Sequence, residues 1–128
     1  MPEPKYPGFL PGRHVIEGYG DFGFRFAGMS HRGSILALPS GIKAWEAVEP
    51  TDISLESLAP VLAEPQGTIE HLLVGTGTGL VPLERRLMTA LREAGIAAEP
   101  MATGAAARTY SILLGEDRRV AAALLAVP

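Results

Sequence analysis

The sequence predicts an α/β fold, with antiparallel, α+β-like strands in its N-terminal third and a βαβαβ unit behind them. Three observations carry this. Aromatic and apolar residues alternate with other residues from Phe22 onward, with Gly, Pro and Ser clusters between the runs. From Ile69 the rhythm changes to short apolar runs separated by helix-period segments. No repeat or second composition block interrupts the chain, so one domain is expected over residues 13–128.

Residues 1–12 contain prolines at 2, 4, 7 and 11, which fix φ and remove donors, so this arm is expected to be extended or disordered. Tyr6 and Phe9 are its candidates for packing. His14–Tyr19 reads as a strand and Gly20-Asp21 as a turn. Phe22, Phe24 and Phe26 alternate with Gly23 and Arg25, which places the three rings on one core-facing side of a strand. Met29–Gly33 reads as a polar connection. Ser34–Leu38 is an apolar run, Pro39-Ser40-Gly41 a turn, and Ile42–Val48 a further alternating run.

Glu49-Pro50 closes the β block. Ser54 is placed to cap a helix that Pro60 breaks or kinks early and Gln66-Gly67 ends. Ile69–Val74 is a strand. A helix is expected over Pro82–Ala94: Pro82 suits its first turn, Leu83, Leu87, Ala90, Leu91 and Ala94 form one stripe, and Gly95 suits the position after its end. Ile96–Met101 is a strand. Thr103 caps a second helix running to about Leu114, with Gly115 as its stop. Val120–Val127 is apolar throughout; its alanines favour helix, but its length, turn-bounded start and lack of a polar face favour a buried strand.

Composition narrows function. A net charge of −3 and a pI near 5.6 argue against nucleic-acid binding by bulk electrostatics. The absence of cysteine excludes disulfides, thiolate catalysis and Cys-ligated zinc. No run approaches the ~18 apolar residues of a membrane span. The first residues lack the apolar core of a signal peptide, so a cytoplasmic location is the default. His14, His31 and His71 lack helical ligand spacing, and no G-x-S-x-G elbow occurs. No catalytic residue, metal or cofactor is therefore assigned.

One stretch invites a ligand. Gly75-Thr76-Gly77-Thr78-Gly79 leads from a strand into a helix, and Met101-Ala102-Thr103-Gly104 does the same. In a parallel sheet both helix starts lie at the carboxyl edge, where unpaired amides can hold an anion. Gly75, Thr76, Gly77, Thr103, Gly104 and Arg108 form this candidate anion site. A dinucleotide fingerprint would put its third glycine at 80, where Leu80 stands, although Glu99 falls where a ribose-binding carboxylate sits. No Walker lysine is present. The plainer reading is that the glycines allow a sharp turn and close packing.

Several segments together carry a family resemblance: Tyr19-Gly20, Gly33-Ser34-Ile35-Leu36, Pro39-Ser40-Gly41, Trp45, Leu72–Gly77 and, above all, the block from Glu99, EPMATGAAARTYSILLGEDRRVAAALLAV. The chain resembles, from about residue 14 to 127, the small domain family that includes the mitochondrial respiratory complex I assembly factor 3 and uncharacterised bacterial proteins. The resemblance implies a three-layer fold with a mixed central sheet and an added antiparallel β layer. It implies no established enzymatic activity, and a role in assembling a membrane-bound complex through an unidentified protein partner. Many relatives carry cysteine where Ala107 stands and asparagine where Ser111 stands, so any thiol chemistry of theirs is closed to this chain. The expected function is thus non-catalytic protein binding of assembly type. The alternative is a small anionic ligand binder, or an enzyme, built on the two helix starts. The apolar balance leaves room for a homodimer.

Overall fold

The computed structural model describes residues 6–128; Pro2 and Pro4 of the expected arm lie outside the described residues. Among the described residues, nine strands, three α-helices and one 3-10 turn follow in the order β1 (Phe9–Pro11), β2 (Gly18–Gly20), β3 (Gly23–Phe26), β4 (Met29–Arg32), β5 (Ser34–Leu38), β6 (Gly41–Trp45), the 3-10 turn Pro50–Asp52, α1 (Ala59–Leu62), β7 (His71–Gly75), α2 (Arg85–Glu93), β8 (Ala97–Met101), α3 (Thr103–Gly115) and β9 (Val120–Leu124).

Six strands form the central sheet in the order β1-β6-β5-β9-β7-β8. β7 pairs in parallel with both β8 and β9, whereas β5 meets β9 and β6 antiparallel, so the sheet is mixed. The smaller sheet, β2-β3-β4, is wholly antiparallel. The alternating faces of the central sheet feed two cores. Leu36, Leu38, Trp45, Leu72, Val74, Ala121 and Ala123 pack with Leu58, Val61, Leu87 and Leu91 on the α1 and α2 side. Ile35, Ala37, Ile42, Leu73, Ala122 and Leu124 pack with Phe24, Phe26, Ala106, Ala107 and Tyr110 on the side of α3 and the small sheet. Three layers result.

Strand β9 has neighbours on both sides and helices over both faces, so all five of its residues are buried. That burial is why an alanine-rich run becomes strand despite its helical propensity. In α2, Leu87 and Leu91 are buried while Leu83 and Ala94 pack partly against the same core. Gly95 has φ +82° and closes the helix with Gly95 N–H on Arg92 O (2.9 Å) and Ile96 N–H on Leu91 O (2.9 Å). This pairing of carbonyls past a left-handed residue is the Schellman arrangement.

The structure corrects several local expectations. Met29–Arg32 is a strand, β4, since Met29 and His31 turn inward against Phe26 and Phe24. Phe22 does not share a face with Phe24 and Phe26: it sits at φ +59° in the β2–β3 turn and is 53% exposed. The strand expected from His14 begins only at Gly18. Ser54 and Ser57 bond each other's backbone N–H (3.1 and 2.9 Å), but turns follow and the helix starts at Ala59. Pro60 therefore lies in its first turn, where a missing donor costs nothing. Helix α2 starts at Arg85, leaving Pro82 in the preceding loop.

At the N-terminal side, Phe9–Pro11 adds β1 to β6. Tyr6 packs edge-on against Phe26 and His31 at 5.0 and 4.9 Å, and its hydroxyl donates to the Ile42 carbonyl.

Candidate functional site

The registers bring one end of every central strand except β1 into a known relation. Gly75, Met101 and Leu124 end β7, β8 and β9 on the same edge, and the antiparallel partner Ile35 places the start of β5 there too. The two sequence-predicted turns meet at this edge. The Thr103 N–H donates to Gly77 O at 2.8 Å, and the Gly77 N–H donates to Thr103 Oγ1 at 3.1 Å.

Thr103 is fully buried and is the first residue of α3. It does not cap the helix; Ala102 holds that position, and the Thr103 hydroxyl donates instead to Leu125 O at 2.8 Å. Thr76, also buried, gathers its own loop. Its hydroxyl lies 2.7 Å from Gly79 O and 3.1 Å from Met101 O, and it accepts the Val81 N–H at 2.9 Å. Gly75 leaves space for this junction: a Cβ there would stand 2.9 Å from both Cα and Oγ1 of Thr103. Close packing, rather than a free φ, fixes glycine at 75.

Gly104 and Arg108 face another element. The Tyr19 ring from β2 lies directly over Gly104, where an added methyl would be 2.7 Å from the ring Cζ. Arg108 is exposed and its Nη1 donates to Tyr19 Oη at 3.0 Å. Among the described residues Arg108 has no carboxylate partner. Thus all six residues lie at one edge, with the two threonine hydroxyls and the Gly77 amide engaged internally and the Arg108 guanidinium facing out. Sequence spacing gave no signal for Tyr19, which comes from a different sheet.

The remaining chemistry is sparse. His14 Nε2 lies 2.9 Å from Pro11 O, and His71 Nε2 lies 3.7 Å from Glu70 Oε1. Among the described residues no His, Asp or Glu side chains cluster as a metal site, and no helix is long and apolar enough to cross a membrane. Ala107 is buried in the core, and Ser111 Oγ accepts the Ile16 N–H at 2.9 Å, so both positions serve packing of α3. Burial lowers the His31 pKa, against a smaller upward pull from a backbone bond at Ser34.

Residues 16–125 match the profile of a family described as "protein of unknown function (DUF498/DUF598)". The chain belongs to this family. Within DUF498/DUF598, an uncharacterized protein of Rhodobacter capsulatus is 40% identical over 125 residues, covering 98% of this chain and 94% of its own. The Danio rerio "NADH dehydrogenase [ubiquinone] 1 alpha subcomplex assembly factor 3" is 38% identical over 115 residues, 89% of this chain. The chain spans 65% of that assembly factor's length. A Bartonella henselae crystal structure, described as an outer membrane protein, superposes with a TM-score of 0.88 at 49% identity, covering 93% of this chain and 99% of that one.

Proposed function

We propose that this chain is a non-catalytic, protein-binding factor of assembly type that acts from the cytoplasm on a membrane respiratory complex. One observation carries the reading: a relative alike over 89% of this chain is named as an assembly factor of NADH dehydrogenase. The site chemistry supports it. Thr76, Thr103 and Gly77 spend their polar groups on each other and on the backbone, which builds a rigid surface and leaves no activated nucleophile.

The test is deletion of the gene in its organism of origin, followed by native electrophoresis of membranes. Loss of assembled NADH dehydrogenase, with partial complexes accumulating, is the expected result. Unchanged complex abundance would overturn the reading.

Arg108 favours a second reading, a small anionic ligand bound beside Gly77 and Gly104, because its guanidinium is oriented by Tyr19 and pairs with no described carboxylate. Titration with inorganic phosphate, followed by amide NMR, checks it. Saturable shifts at Gly77, Gly104 and Ala105 are expected, and their absence rejects it.

A further inference from the structure

Four exposed apolar side chains and one cation converge on the carboxyl edge described above. Tyr19, Phe22, Leu80 and Val81 are 44, 53, 62 and 39% exposed. Each has a fixed place there. Tyr19 covers Gly104. Phe22 N–H donates to Val127 O, past the end of β9, and Phe22 O accepts the Gly33 N–H just before β5. Leu80 and Val81 follow Gly79 in the loop that Thr76 ties down.

We infer that this edge is a protein-docking face, and that its partner presents a segment with apolar side chains and at least one carboxylate. The inference rests on the reading of the chain as a protein-binding factor and specifies where and with what chemistry it binds. Charge complementarity selects the carboxylate. Arg108 commits one bond to Tyr19 Oη, and a guanidinium has five N–H donors, so a fork remains for a bidentate acceptor. The Asp21 carboxylate, next to Phe22 in the chain, lies 3.5 Å from Arg32. Tyrosine and arginine are enriched among the residues that carry most binding energy, and phenylalanine is enriched in the buried cores of interfaces.

The surface is also pre-shaped. The Thr76 hydroxyl holds the loop, lying 2.7 Å from Gly79 O and accepting the Val81 N–H at 2.9 Å, so Leu80 and Val81 are presented outward with little ordering left to do on contact. Beside Val81, a groove of about 350 Å³ has apolar walls of Pro50, Ile53, Pro82 and Leu83, with Thr51, Thr76 and Glu84 among its polar ones. Its apolar walls offer a seat for a partner's apolar side chain, and Glu84 directs the partner's carboxylate away from it toward Arg108.

The experiment places the photo-crosslinker p-benzoylphenylalanine at position 22, 80 or 62 of the full chain in cells. Leu62, 37% exposed on α1, is the control at the opposite edge of the sheet, where it lines one groove with Ile69 and Ile96, the residues ahead of β7 and β8. Positions 22 and 80 should crosslink to one protein segment, identified by mass spectrometry as apolar with an Asp or Glu, and position 62 should not. Arg108→Glu should cut that crosslink by about tenfold, and replacing the partner's carboxylate with lysine should restore it. Unchanged circular dichroism and melting of Arg108→Glu verify folding. Equal crosslinking from 62, adducts only to lipid or to a second copy, or indifference to charge reversal would each overturn the inference. A charge-swap rescue with a partner outside the respiratory complex would sink the proposed function and leave the docking face standing. Loss of the complex on deletion, with crosslinks confined to position 62, would do the reverse.

Discussion

The buried hydroxyl of Thr103 donates to the carbonyl of Leu125 at 2.8 Å, joining the first turn of α3 to the end of the central strand β9. Because the same oxygen accepts the Gly77 N–H, one side chain closes three segments.

Thr103→Val removes that hydroxyl at nearly constant volume and leaves Gly77 N–H and Leu125 O without a partner. Buried unpaired groups cost about 1–3 kcal/mol, so the urea midpoint should fall accordingly. Thr103→Ser keeps the oxygen and should lose less.

Two glycines of the same loop should respond in opposite ways. Gly75→Ala forces a methyl against the Thr103 backbone at 2.9 Å, and overpacking of this kind costs about 1–3 kcal/mol. Gly79→Ala meets nothing within 4 Å. It should be neutral, or stabilising by about 0.4–1 kcal/mol through the unfolded state. Thermal melts of the two variants, side by side, check the contrast.

Stability should fall at both ends of the pH scale. Burial pushes the Tyr6 and Tyr110 hydroxyls up to about 12 from 10.0. Between those values the unfolded chain gives up protons that the folded chain keeps, so stability present below pH 10 is lost as pH rises toward 12. His31 is shifted the other way, below 6.5. Its contribution is intact above that value and is lost as pH falls through the folded pKa. Urea midpoints measured across pH should show both limbs. Tyr6→Phe should flatten the alkaline one, and His31→Gln the acid one.

The outer edge of β8 should stay unpaired because of Pro100. Ala97 N–H bonds Glu70 O and Met101 O accepts Thr76 N–H, so Ala97, Glu99 and Met101 face β7. Ala98 and Pro100 face outward, and Pro100 brings no donor. Pro100→Val restores an outward N–H, and sedimentation equilibrium should then reveal more concentration-dependent self-association than the parent chain shows under the same conditions.

The sequence made some elements legible and hid others for identifiable reasons. The stripe of α2, its Gly95 stop and the apolar β9 run all follow from local periodicity or burial. Met29–Arg32 escaped because its inward residues, Met29 and His31, are interleaved with Ser30 and Arg32 in too short a run to outweigh their polarity. Phe22 fitted the alternation of Phe24 and Phe26, but the left-handed turn at Asp21-Phe22 broke the phase. Thr103 had the composition of a cap, yet the Gly77 and Leu125 backbones offered it buried partners. The two strand-to-helix turns could be placed on one edge from topology alone. The Tyr19–Arg108 bond could not, since 89 residues separate them and no pattern links β2 to α3.

The position of β9 between β5 and β7 has a consequence for biogenesis. The strand that completes the centre of the sheet follows the other described strands out of the ribosome. Until it does, β5 and β7 each expose an unpaired apolar margin, and the two cores lack the residues that divide them. At about 5–20 residues per second, synthesis leaves this gap open for several seconds. A chain that stops before Val120 should therefore leave both margins open and form neither core.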